Sequence, residues 1–334
     1  MNKNEEKKGI SLIVLVITII VIIILAVAVI LSIANNNPIE NAKKARFLND
    51  LKTIQEEINL YNSKAYADAK SNGTEYVPAK VEDIKSAEKY KEKIDIRNDN
   101  VVLKKEATVE EKKWALENNI NILISDEYQE VEYIESTGTQ WINTGFCPTT
   151  KTKAEIDIEL TKLEGGAYKF IMGSRNTTYN TNGYMWEVII NPNKLLHVQV
   201  GDYTTNRIIQ KEYTVIPGTR MKISFDPSQK QLFVNYEVIE YFNGEVGDKK
   251  VDYPMYLLTT IYGDQVNMAS TKMYAISAKL YSTTIYDDDK LVRDFVPCYR
   301  KSDGVIGLYD RVENKFYTNS GTGSFQKGED INNI

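Results

Sequence analysis

The 334-residue chain is poor in the side chains most often used for metal chemistry, with one histidine and two cysteines. The single imidazole, His197, excludes clustered-histidine metal centres and disfavours a Ser-His-Asp triad. Cys147 and Cys298 lie far apart in the sequence and cannot build a Cys-rich zinc site or a dense disulfide scaffold. An excess of basic charge is also missing. Lysine and arginine number 41 against 46 acidic residues, a net −5, which removes the electrostatic footprint of a nucleic-acid binder. Hydrophobic residues at 42% and charged residues at 26% exclude a disordered or collagen-like protein. The length allows two or three domains. Tyrosine divides the sequence: of 22, four precede residue 128 and eighteen follow from it.

Ile10 to Ala34 is an uncharged run rich in Ile, Val and Leu. As a helix it measures about 37 Å, enough to cross a hydrocarbon core of roughly 30 Å. Lipid forces the backbone to bond internally, so β-branched residues are expected to be helical there. Lys3, Lys7 and Lys8 precede the run, while Asn35-Asn36-Asn37-Pro38 follows it. That asymmetry predicts a cytoplasmic amino terminus, a single pass at the cell membrane and an extracellular carboxyl-terminal module.

Lys7-Lys8-Gly9-Ile10-Ser11-Leu12-Ile13 resembles a type IV prepilin leader: short, basic, ending in glycine and running directly into an apolar helix. The resemblance implies cleavage after Gly9 by a prepilin peptidase, methylation of Ile10 and assembly with other pilin-like subunits. The family's glutamate five residues after the glycine is Val14 here. Minor, tip-located pseudopilins resemble this sequence in lacking it, as an unpaired carboxylate in hydrocarbon would be costly. An uncleaved signal anchor is the alternative.

Residues 35–127 read as an α-rich scaffold. Asn37-Pro38-Ile39-Glu40 combines an N-cap, proline at the first helical position and a glutamate three residues after the cap. Phe47, Leu51, Ile54, Ile58, Tyr61 and Ala65 then form one helical stripe. Residues 81–93 are predicted helical. Ile94-Asp95-Ile96 and Val101-Val102-Leu103 flank Asn98-Asp99-Asn100 as a hairpin, and Thr108-Val109-Glu110-Glu111 is a capping-box pattern.

From residue 128 short alternating stretches take over: Ala154–Leu160, Met221–Phe225, Gln231–Tyr236 and Ala278–Tyr281. Turn signals at Gly165-Gly166, Asn182-Gly183, Pro217-Gly218, Asp226-Pro227 and Asn243-Gly244 separate them, which predicts a β-sandwich or barrel. The opening Tyr128–Gly145 segment (YQEVEYIESTGTQWINTG) and the closing segments Leu291–Arg300, Gly304–Asp310 and Asn314–Phe325 resemble concanavalin A-like (LamG-type) lectin modules of gut-bacterial surface proteins. The resemblance covers 128–328 and implies a jelly-roll sandwich with adjacent first and last strands. It names no activity, because the fold hosts binders, enzymes and spacers.

The expected organisation is therefore a leader at 1–9, a membrane or pilin helix at 10–34, an α-rich (α+β) region at 35–127, an all-β concanavalin A-like sandwich at 128–328 and a tail at 329–334. Three groups of residues are candidates for function. Glu155-Ile156-Asp157-Ile158-Glu159 looks like the catalytic strand of laminarinase-type retaining glycosidases, with Glu155 as nucleophile, Glu159 as acid/base and Asp157 tuning both. Alternation also allows Ala154, Ile156, Ile158 and Leu160 to face a core while the carboxylates face water. Arg175, Asn176, Tyr179, Asn182, Tyr184 and Trp186 supply the amide, guanidinium and aromatic groups that hold sugars, unless Tyr184 and Trp186 alternate into the core. His197 alternates with apolar neighbours and reads as a strand residue. Asp287-Asp288-Asp289 is a weak calcium candidate or a solvated turn. A Cys147–Cys298 disulfide would follow if the end strands bring the two together, against two buried thiols. The function expected is a tip adhesin presenting a module that binds a glycan or a surface protein, without catalysis or a required cofactor. An inert spacer and a membrane-anchored glycosidase are the alternatives.

Overall fold

A computed structural model describes residues 37–163, 166–176, 184–202, 209–241, 250–260 and 274–331. Gly9, Ile10 and the apolar run Ile10–Ala34 lie outside these residues. Among the described residues no helix is long and apolar enough to cross a membrane.

The first helix, α1 (Pro38–Asn72), starts where local chemistry directs. Asn37 Oδ1 accepts from the Glu40 amide at 3.2 Å, and Pro38 occupies the first turn, where a missing N–H costs no helical bond. It ends at Gly73, in the left-handed conformation that glycine adopts freely. The buried stripe is Phe47, Leu51, Ile54, Ile58, Asn62 and Ala69. It departs from the predicted one after Ile58: Tyr61 is exposed and Asn62 turns inward. Alternating spacings of three and four average 3.5 residues, while the helix turns every 3.6, so the stripe drifts round the cylinder. Asn62 is polar yet suited to the position, since it accepts from the Ala79 amide at 2.7 Å and donates to Asp99 at 2.8 Å.

Two short 3-10 turns, Val81–Asp83 and Lys85–Tyr90, replace the helix expected at 81–93, because Ile84 between them is extended. The hairpin β1 (Ile94–Arg97) and β2 (Asn100–Leu103) turns at Asn98 and Asp99, both with positive φ. Helix α2 (Val109–Glu117) carries the complete capping box of Thr108 and Glu111. These elements close a small core in which Phe47 meets Tyr90 and Trp114, each at 5.8 Å between ring centroids.

The rest is mostly antiparallel β-sheet in two layers around one large core. The smaller sheet runs β10 (Ile209–Thr214), β9 (Leu195–Asp202), β8 (Tyr184–Ile190), β7 (Lys169–Arg175), β14 (Tyr256–Leu257) and β5 (Ile142–Asn143). The larger sheet runs β13 (Glu237–Tyr241), β12 (Gln231–Val234), β11 (Arg220–Asp226), β6 (Thr152–Lys162), β15 (Ser277–Asp287), β16 (Lys290–Arg300), β17 (Ile306–Asp310) and β18 (Lys315–Thr318). The module's ends meet in it: β3 (Tyr128–Glu130) pairs with β16, and β4 (Ile134–Thr137) pairs with β15 and with β19 (Gln326–Lys327). Strand β12 stops two residues short of the predicted Tyr236. Asn235 and Tyr236 both have positive φ and form the tight turn into β13.

Helical unit and sandwich are joined by buried polar contacts. Lys112 of α2, only 2% exposed, donates to the Arg311 carbonyl at 2.7 Å. Arg311 in turn donates to the Ile122 carbonyl at 3.1 Å and to Asp294 at 2.6 Å.

Candidate functional site

Strand β8 decides the question that alternation left open. Tyr184, Trp186, Val188 and Ile190 belong to the sandwich core, and the Trp186 indole donates to the Thr152 carbonyl at 3.0 Å. Tyr184 and Trp186 are thus core residues, which corrects the expectation of an aromatic binding surface. A strand places alternate side chains on opposite faces, so Glu187 points to the other side of the sheet. Arg175 is also buried and reaches it: Nε lies 3.0 Å from Glu187 Oε1, and Nη2 bonds Oε2. The guanidinium expected to hold ligand is engaged in this pair. Asn176 remains near the surface, tied to Asp252 by a donated bond of 2.9 Å and an accepted one of 2.7 Å. Tyr179 and Asn182 lie outside the described residues.

Behind Arg175 a polar row crosses the non-core face of the smaller sheet. The register aligns Asn143, Tyr256, Gly173, Glu187 and Gln199 on five adjacent strands. Asn143 Nδ2 donates to the Tyr256 hydroxyl at 3.0 Å. Gly173 leaves room for Thr260, whose hydroxyl donates to Glu187 Oε1 at 3.1 Å; a Cβ at Gly173 would stand 2.8 Å from the Thr260 hydroxyl oxygen. Gln199 Oε1 accepts from Arg175 at 3.3 Å, which turns its amide nitrogen toward His197 Nε2 at 2.9 Å. The imidazole Nε2 must then accept, so its proton is assigned to Nδ1. Nδ1 is buried and has no hydrogen-bond partner among the described residues. Burial pulls the His197 pKa down to about 4, so the ring is neutral at physiological pH. Sequence reading placed His197 in a strand and missed its polar neighbours. Glu187 gave a signal, as a lone carboxylate within the apolar stretch Tyr184–Ile190.

The three carboxylates of β6 lie on the outer face of the larger sheet while Ala154, Ile156, Ile158 and Leu160 fill the core. Each has a basic partner. Lys153 is 2.8 Å from Glu155, Arg220 makes a two-point contact with Asp157 at 2.8 and 3.0 Å, and Lys279 is 3.4 Å from Glu159. Tyr281 donates to Glu159, and burial with that carboxylate raises its pKa to about 12. The Arg220 guanidinium stacks 3.6 Å above the same ring. The geometry is that of a solvated, charge-paired face.

Asp287, Asp288 and Asp289 end the β15–β16 hairpin and do not converge. Asp287 accepts from Thr149 and Thr152 at 2.5 and 2.8 Å, and Asp288 pairs with Lys151 at 3.1 Å. Among the described residues no three His, Cys, Asp or Glu side chains are grouped to hold a metal ion.

Cys147 and Cys298 are both free, as in the alternative of two thiols, although only Cys298 is buried and Cys147 is half-buried. Adjacency of the end strands does not bring them together. Cys147 contacts the Asp252 carbonyl in the segment leading to β14, whereas Cys298 packs with Val296 and Tyr309 in a satellite core outside the sandwich interior.

No protein-family model matches the sequence, and no curated protein does. Solved structures with some likeness include the CBM40 module of a Ruminococcus gnavus IT-sialidase, at 14% identity and TM-score 0.32, covering 50% of this chain and 95% of that one. A putative carbohydrate binding protein from Bacteroides ovatus is similar at 13% identity and TM-score 0.40, over 64% of each chain. The carbohydrate binding module CBM66 from Bacillus subtilis has 7% identity and TM-score 0.29, over 48% of this chain and 96% of its own. At such scores a likeness fixes neither ligand nor site.

Proposed function

We propose that the protein displays a lectin-like, concanavalin A-type jelly-roll module that binds a glycan non-covalently through the non-core face of its smaller sheet. The observation that carries this reading is the polar row itself. Half-buried Asn143 and Gln199 flank a buried Arg175–Glu187 pair, and beside them His197 holds an N–H donor that is unmatched among the described residues. Sugar hydroxyls need groups that donate and accept within one small area, and carboxamides do both. Arg175 holds Gln199 and the Tyr256 hydroxyl holds Asn143, so little ordering entropy is lost on binding.

Display rests on the leader-like Lys7-Lys8-Gly9-Ile10 segment, the apolar run behind it and the long helix α1 beyond. In this reading a prepilin peptidase cleaves after Gly9, and residues 10–34 anchor the protein in the membrane and against other pilin-like subunits. The module then lies outside the cell, at a filament tip.

A glycan array probed with the full-length protein tests the binding. Retention on a defined set of glycans, lost at least tenfold with Gln199→Ala and Asn143→Ala together, is expected; a blank array removes the lectin reading. Mass spectrometry of the native amino terminus tests display. A protein beginning at methylated Ile10 in sheared filaments is expected, and one beginning at Met1 and confined to membranes leaves only a signal-anchored module.

A further inference from the structure

The helical unit meets the sandwich at a buried amine. Lys112, on α2, is the only lysine among the described residues whose side chain is buried. Its Nζ donates to the Arg311 carbonyl at 2.7 Å and to Asn314 Oδ1 at 3.2 Å, in the β17–β18 turn 202 residues further along the chain. Both partners are neutral. The buried carboxylates nearby are engaged by arginines: Asp294 bonds Arg311 at 2.6 Å, and Asp310 Oδ2 lies 3.5 Å from Arg293 Nε. A buried ammonium without a counter-ion in contact is costly, and burial accordingly pulls the Lys112 pKa below the ordinary lysine value. The free amine favoured in this way is a nucleophile.

Asn314 presents the matching electrophile. Its carboxamide carbon is one bond beyond the oxygen that Nζ already touches, and groups held this close react as if at very high concentration. The carboxamide is held from both ends, with Nδ2 3.5 Å from the Lys105 carbonyl. Asn314 itself is exposed, so a released ammonia meets solvent while Nζ stays out of it. Asp310 is the carboxylate whose charge attracts Lys112 most strongly; burial raises its pKa to about 6, so it can take up the amine's proton. A hydrogen bond alone leaves a cation buried, whereas an amide removes it.

We propose that Lys112 and Asn314 join in an intramolecular isopeptide bond that ties the helical unit covalently to the sandwich. Nζ attacks Cγ of Asn314 and the Cγ–Nδ2 bond breaks. The amide nitrogen leaves as ammonia and carries off the proton that the lysine gave up, so one ammonium replaces another. The step consumes no oxidant, reductant or cofactor. The closed loop restricts the unfolded chain, and so adds stability beyond that of the hydrogen bonds it replaces.

Peptide mapping of the folded, full-length protein by mass spectrometry is the test. Trypsin does not cut after an acylated lysine, so digestion should yield a branched peptide containing both Lys112 and Asn314, lighter than its two arms by one ammonia. Intact mass should show the same deficit against Lys112→Met, once the substitution itself is subtracted; processing at the amino terminus is common to both and cancels. Lys112→Met keeps an apolar stem, and Asn314→Gly suits the left-handed backbone at that position, where φ is 53°. Each variant should lose the branch completely. Recovery of the two arms only as separate peptides from the folded parent would overturn the proposal, as would a branch that survives in Asn314→Gly. The parent's own peptide map is decisive even where a variant fails to fold. Neither the glycan array nor the native amino terminus bears on this result, so the two readings fail separately.

Discussion

Arg175 and Glu187 form an ion pair on a sheet face turned away from the core, with Nε 3.0 Å from Oε1 and the two side chains only 3% and 0% exposed. Salt on a surface would screen such a pair; here solvent cannot reach it. Its two members depend on each other more than the fold depends on them. Removing Arg175 leaves the Glu187 carboxylate buried without its guanidinium, whereas replacing both by apolar side chains leaves neither charge of the pair behind. Arg175→Met is expected to lower unfolding stability by about 3–5 kcal/mol in urea titrations. Arg175→Met/Glu187→Leu should recover most of that loss. A single variant as stable as the parent would mean that the pair is not closed to water.

Trp186 separates packing from binding. Its side chain is fully buried, stacked against Phe225 at 5.0 Å and bonded to the Thr152 carbonyl. Trp186→Ala should cost about 3–5 kcal/mol. Trp186→Phe, which keeps an aromatic ring and loses the N–H donor, should cost much less and leave ligand affinity intact. Lost affinity at unchanged stability would instead place the indole at the ligand.

Two buried groups give opposing pH dependences. His197 titrates near 4 when folded against 6.5 unfolded, so its contribution is complete above about pH 6.5 and disappears as pH falls toward 4. Burial raises Asp310 to about 6 from 3.8. Its favourable contribution is complete below about pH 3.8 and is lost as pH rises through 6. Among the described residues Asp310 Oδ2 has no hydrogen-bond partner, with Arg293 Nε 3.5 Å away. Melting temperatures from pH 7.5 to 4.5 should therefore fall less for His197→Gln than for the parent and more for Asp310→Asn. Parallel curves for all three proteins would contradict both assignments.

The thiols are chemically distinguishable. Cys298 is fully buried and burial raises its pKa far above the usual range; Cys147 is half-buried with a smaller upward displacement. An aromatic disulfide reagent should titrate Cys147 slowly in the native protein and both residues in denaturant. Intact mass should not change on reduction. A gain of two hydrogens would establish a bridge.

The helix start at Asn37 offers a local check. Asn37→Ala removes the cap bond to Glu40 and should cost about 1 kcal/mol, measured by denaturant unfolding. No change would show that the preceding residues, rather than the cap, hold the helix end.

Local signals were legible because their physics is local. Asn37-Pro38 and Thr108…Glu111 place hydrogen-bonding atoms within one turn of their partners, and Asn98-Asp99 reverses the backbone over two residues. The strands around Ala154, Met221 and Ala278 follow from alternation, since a half-buried strand shows its pattern in a few residues. By its own pattern the sequence thus determined the two helix starts, the hairpin, the class of the β-rich module and the side of β6 that turns its carboxylates outward. Tertiary structure decided the remainder. Tyr184–Ile190 is buried on both faces, so its alternation cannot say which side meets the opposite sheet. The pairing of Arg175 with Glu187 and Gln199 depends on the register of β7, β8 and β9, and Thr260 joins them only because β14 brings its segment alongside. Cys147 and Cys298 part for the same reason. Sheet order and register sum over many weak contacts between residues distant in sequence, and no short stretch of residues carries that sum.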